Sequence, residues 1–162
     1  MLLKQFILGL MSLHLVMGGT GGNERCVMTI GGRGMCPPTW IQWGDKCYRA
    51  TQPMGWFEAK QECIQMGSVL VRPQSDEQNE FLARITPEFW INCNNLQREG
   101  VWVCLDGTVA VQYPNWEKEE PNIGLGKEHC AEVWKPGPRN DGTCDSQNPA
   151  ICKQPMVPRL HF

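Results

Sequence analysis

Apolar residues recur along this chain in two rhythms. Between about Gly55 and Met66 the positions Trp56, Ala59, Cys63 and Met66 fall three or four residues apart, which lines one face of a helix. Gly67 supplies the stop, because glycine takes the left-handed cap conformation at little cost. Ser75-Asp76-Glu77-Gln78 then reads as a capping box, with Ser75 satisfying an early backbone N–H and Gln78 reaching back to the cap. Phe81, Leu82 and Ile85 form the apolar face of this second helix, and Pro87 ends it. Other apolar runs are short and bounded by Gly, Asn and Pro. Trp40-Ile41 and Cys47-Tyr48 (with Gly44-Asp45 as the turn), Val69-Leu70-Val71, Phe89-Trp90-Ile91, Val101-Trp102-Val103, Val109–Val111, Ala131–Trp134 and Ala150–Cys152 predict strands joined by loops. Two early helices followed by strands give an α+β domain. Asn115 to Gly126 is polar and aperiodic, which predicts a long surface loop of the kind that usually carries function.

The N-terminus obeys different rules. Lys4, an apolar run from Phe6 to Met17 and small residues from Gly18 to Gly22 make a secretory signal covering residues 1–22. The run falls short of the roughly 20 residues a membrane helix needs, so export without membrane insertion is expected. Residues 23–35 are a glycine-rich flexible segment. The domain starts at Cys36-Pro37-Pro38 and covers 36–153, with 154–162 as a tail.

Composition narrows the function further. The formal charge is −2, and Lys and Arg are scattered without a run or stripe. Nucleic acid is therefore not an expected partner, since phosphate binding rests on clustered positive charge. A polybasic membrane patch is absent for the same reason. Nine cysteines in an exported chain read as a disulfide framework. Zinc fits poorly, because no two cysteines lie within four residues of each other. The count is odd, so at least one thiol pairs outside the chain or stays free. The expectation is that Cys26, alone in the glycine-rich segment, links two copies as a homodimer. The alternatives are a Cys26–Cys36 pairing that frees Cys47, or a small-thiol cap.

Candidate chemistry gathers in and after the long loop. Glu119, Glu120, Asn122, Glu128, Asn140 and Asp141 are hard oxygen donors, and calcium takes six to eight oxygens in flexible geometry. A plainly solvated acidic loop has the same composition. Here the sequence resembles the C-type lectin-like domains from Cys36 to Cys152. The resemblance is carried by Cys36-Pro37-Pro38-Thr39-Trp40 with Cys47-Tyr48, Trp56-Phe57-Glu58-Ala59 with Cys63, Phe89-Trp90-Ile91, Asn115-Trp116, and Cys130…Cys144…Ile151-Cys152.

That resemblance implies a fold of two helices with short antiparallel strands and a long calcium- and sugar-binding loop. It implies the pairs Cys36–Cys47, Cys63–Cys152 and Cys130–Cys144, while Cys93 and Cys104, close in sequence, make a fourth bridge. The family's Glu-Pro-Asn motif matches Glu120-Pro121-Asn122, its acidic residue two before the next cysteine matches Glu128, and its Trp-Asn-Asp matches Arg139-Asn140-Asp141. The implied calcium and sugar ligands are Glu120, Asn122, Glu128, Asn140 and Asp141, with a cis Pro121. Glu-Pro-Asn rather than Gln-Pro-Asp implies mannose-type sugars: mannose, fucose, glucose and N-acetylglucosamine. For a small secreted lectin the family implies recognition of microbial or other cell-surface glycans, a role in innate immunity.

The chain departs from the family pattern in three ways. Arg139 stands where the motif has tryptophan. Ile123 and His129 occupy positions that hold acidic residues of a second calcium site, so that site is expected to be missing. Leu125 and Lys127 decorate the loop and bear on sugar choice. An enzyme is not expected: His129 has no nucleophile beside it, no G-x-S-x-G occurs, and adjacent Glu119 and Glu120 do not make a glycosidase pair. Trp40, Trp56, Trp90, Trp102 and Trp116 are assigned to the core rather than to sugar stacking, and Trp43 and Trp134 are left open. The alternative function is the same fold binding a protein or another non-sugar surface.

Overall fold

A turn at Gly44, whose φ of 61° suits a residue without Cβ, joins β1 (Ile41–Trp43) to β2 (Lys46–Ala50). A computed structural model describes residues 34–107, 109–110 (backbone only), 116–122, 126–134 and 137–157. The signal segment, Cys26, Asn115, Ile123 and Leu125 lie outside the described residues.

Helix α1 (Trp56–Gln65) follows, with Glu58 Oε2 accepting from the Gly55 N–H at 3.1 Å. Its buried face is Trp56, Ala59 and Cys63, as the spacing predicts. After β3 (Val69–Leu70) comes α2 (Asp76–Ile85), capped by Ser75 Oγ accepting from Gln78 N at 3.2 Å. The predicted reciprocal bond differs in detail. Gln78 Oε1 accepts from Gln74 N at 2.8 Å, one residue before the cap, and Gln78 Nε2 donates to Tyr48 Oη at 2.8 Å. A buried glutamine thus joins α2 to β2.

The rest is strand and loop: β4 (Glu88–Asn94), β5 (Val103–Asp106), β6 (Val109–Ala110), β7 (Glu128–Trp134), β8 (Arg139–Thr143) and β9 (Ile151–Pro155). They form two antiparallel sheets, ordered β1-β2-β9-β3 and β6-β5-β4-β7-β8. The first brings the ends of the domain together, with Lys46 opposite Pro155 and Ala50 opposite Ile151. Met35 pairs with Val157 beyond it.

Four disulfides join Cys36–Cys47, Cys63–Cys152, Cys93–Cys104 and Cys130–Cys144. The Cys63–Cys152 bridge closes 89 positions and ties α1 to β9. The eight described cysteines therefore offer no thiol to a second chain.

Two apolar clusters fill the space between helices and sheets. Tyr48, Val71, Leu82, Phe89, Ile91 and Val133 make one, and Trp56, Leu70, Trp90, Ala150 and the cystines of α1 and β7 the other. Both buried indoles are satisfied: Trp56 Nε1 donates to Ile91 O at 2.8 Å and Trp90 Nε1 to Met54 O at 2.9 Å. Trp40, Trp102 and Trp116 pack against the core partly buried, whereas Trp43 and Trp134 are exposed. Among the described residues no helix is long and apolar enough to cross a membrane.

Candidate functional site

The polar segment after Trp116 is positioned by the open edge of β8. Trp116 makes a parallel bridge with Arg139, and Glu117 N donates to Arg139 O at 2.9 Å. Two residues later the chain turns, with Glu119 at a φ of 74° and Glu120 N donating to Glu117 O at 3.0 Å. The Glu120–Pro121 peptide is cis, as expected. This path brings Asn122 to the Asp141 side chain on β8.

The Asn122 N–H then lies between two carboxylates, 3.0 Å from Glu120 Oε2 and 3.1 Å from Asp141 Oδ1. Asn122 Nδ2 donates to Glu120 Oε1 at 2.8 Å, leaving its own Oδ1 as the acceptor. Asp141 is buried, 1% exposed. Crowding has an electrostatic signature: desolvation, joined by the neighbouring Asp141 carboxylate, pushes the Glu120 carboxyl up to about 7. Two hard carboxylates and an amide oxygen, held together against their own repulsion, form a donor set that fits a calcium ion.

The other two expected ligands stand differently. Asn140 neighbours Asp141 on β8, and its Nδ2 donates to Glu132 Oε1 at 3.0 Å and to Asp141 O at 2.6 Å. Glu128 opens β7 opposite Thr143, next to a bulge that precedes Cys130. Among the described residues no group of three or more His, Cys, Asp or Glu side chains is gathered for a metal. Thus Glu120, Asn122 and Asp141 meet directly, and Asn140 is adjacent to Asp141 on β8. His129 is engaged structurally, its Nδ1 lying 2.9 Å from Asn95 Oδ1. Lys127 is exposed.

Arg139 fills the tryptophan position with a buried guanidinium rather than a void. It is 2% exposed, with Nη1 3.8 Å from Cys93 Sγ and 3.7 Å from Cys104 Sγ, and Nη2 donating to Pro73 O at 3.4 Å. Glu132 is the site-proximal residue that sequence patterns do not single out. Burial raises its carboxyl above the ordinary range, opposed by the hydrogen bond from Asn140. One signal does mark it: a carboxylate inside the apolar run from Ala131 to Trp134.

Residues 52–154 match the C-type lectin domain ("Lectin C-type domain"). The chain belongs to the C-type lectin domain family. Ladderlectin of Oncorhynchus mykiss is 30% identical over 158 residues, covering 90% of this chain and 80% of that protein. Hepatic lectin of Gallus gallus is 34% identical over 121 residues, covering 72% of this chain and 58% of that protein, so the lectin domain spans little more than half of this relative. Among solved structures, the cow CD23 carbohydrate-recognition domain, crystallised in the presence of GlcNAc2Man3 oligosaccharide, superposes with a TM-score of 0.70 at 28% identity, covering 76% of this chain and 98% of that one. A calcium-independent type II antifreeze protein shares the fold at 23% identity and a TM-score of 0.68, covering 83% and 100%. One fold thus serves different ends, and the site residues must carry the functional reading.

Proposed function

We propose that this lectin domain binds mannose-type sugars through one calcium ion held by Glu120, Asn122, Glu128, Asn140 and Asp141, and that it does so outside the cell. The observation that carries this reading is the convergence of Glu120, Asn122 and Asp141 around a single peptide N–H. A bound calcium ion supplies coordination positions that vicinal sugar hydroxyls fill in place of water.

The protein groups do the rest. Ionised Glu120 and Glu128 only accept, so each takes a hydroxyl hydrogen, while Asn122 Nδ2, which gives one hydrogen to Glu120, donates its other to a hydroxyl lone pair. A sugar hydroxyl serves both roles at once. The order carboxylate-then-amide across Pro121 suits the equatorial hydroxyl pair of mannose, fucose and N-acetylglucosamine. The stapled domain is built for an oxidising compartment, and glycans of microbial or other cell surfaces are the natural ligands there.

A glycan array tests this. With calcium, mannose-type glycans should bind, and chelator should abolish the signal. Binding to no glycan in calcium would instead place the domain among those that recognise a protein or another non-sugar surface.

A further inference from the structure

We infer that Glu132 is a positioning residue for the candidate ligand Asn140, holding its amide so that the oxygen, and not the NH2 group, faces the metal. This rests on the calcium reading given above.

Hydrogen-bond capacity decides which way the Asn140 amide faces. Glu132 on β7 lies directly opposite Asn140 on β8. An ionised carboxylate can only accept, so the group of Asn140 turned towards it must be the NH2. Asn140 Nδ2 donates to Glu132 Oε1 at 3.0 Å and to Asp141 O at 2.6 Å, so both amide hydrogens are committed. The oxygen Oδ1 is left for an external partner, and calcium takes oxygen ligands. An amide rotated by half a turn would offer two hydrogens to the cation instead.

Glu132 is itself held from its other side. Its Oε2 accepts from Asn148 Nδ2. The Asn148 backbone in turn exchanges hydrogen bonds with Met54, N to O at 3.2 Å and O from N at 3.0 Å. Partners behind metal ligands commonly fix the orientation of those ligands, and their loss costs about 10–100-fold in metal affinity.

Glu132→Gln separates this role from simple packing. The shape is kept, but a carboxamide accepts through one oxygen only, so its own NH2 meets the NH2 of Asn140 or of Asn148. Calcium titration of the secreted chain should show affinity about 10–100-fold weaker than the parent. The calcium-induced rise in melting temperature should shrink with it. Ser75→Ala, which weakens α2 away from the site, should keep the parent's affinity and so shows that lost stability alone does not produce the effect. If E132Q is not secreted, Glu132→Asp, which keeps the charge but draws it back from Asn140, is read in the same way. Parent-like calcium affinity in the variant overturns the positioning role while leaving the calcium site standing. A parent chain that binds no calcium overturns both.

Discussion

Glu120 and Asp141 approach one N–H, the backbone amide of Asn122, at 3.0 and 3.1 Å, and this closeness has a cost that can be measured without any ligand. The folded Glu120 carboxyl, pushed up to about 7 from its ordinary 4.5, holds its proton more tightly than the unfolded chain does. The folded state is therefore penalised once Glu120 ionises: not below the unfolded value, increasingly as pH rises, and fully above the folded value. Metal-free Glu120→Gln should then melt above the metal-free parent in mildly alkaline buffer, with the gap closing as the medium is acidified. The same variant should lose calcium affinity. Scanning calorimetry across pH checks the first part, and equal melting of the two chains at every pH would contradict it. Specificity belongs to the same pair of side chains. Exchanging them as Glu120→Gln with Asn122→Asp keeps the ligand charge but reverses which side of Pro121 supplies carboxylate and amide. Competition by free sugars should move from mannose towards galactose, whereas an unchanged preference would show that these residues do not orient the sugar.

At the scale of elements, what the sequence reveals depends on how each element is held. α1 and α2 are legible because each buries one face, so their apolar residues keep a helical period and their ends carry a Gly67 or a Ser75. Ser75→Ala should cost about 1 kcal/mol, read as a lower denaturation midpoint at constant m-value. Trp56→Ala, which empties a buried site and orphans Ile91 O, should cost about 3–5 kcal/mol. β8 is the opposite case. Arg139-Asn140-Asp141-Gly142-Thr143 has no apolar alternation, and it is a strand because β7 pairs along it and Trp116 closes its other edge. Pattern reading passes over such a strand, although the candidate ligands on it are visible from the family motif. Val101-Trp102 errs the other way. The apolar run predicts strand, yet β5 begins only at Val103, next to the Cys93–Cys104 register. Glu132 is hidden for a third reason: its contribution is a contact across two strands, which no spacing along one strand encodes.

Among the described residues the two ends of the domain and α1 meet at one seam on β9, while the residues after Trp116 lie along the outer edge of β8. The Cys63–Cys152 bridge fastens that seam across 89 positions. Replacing both cysteines by serine should lower stability by roughly 4–5 kcal/mol on the chain-entropy view, measurable by denaturant unfolding under non-reducing conditions. A loss well under 2 kcal/mol would mean that the reduced chain keeps residual structure holding these ends together. The disulfide frame and the two clusters need no metal to explain them, so removing calcium should release the ligand before it unfolds the domain. The most direct measurement is retention of the secreted chain on an immobilised mannose matrix. The account predicts retention in calcium, release by chelator and release by free mannose. Retention that chelator does not disturb, or no retention in calcium, would contradict it.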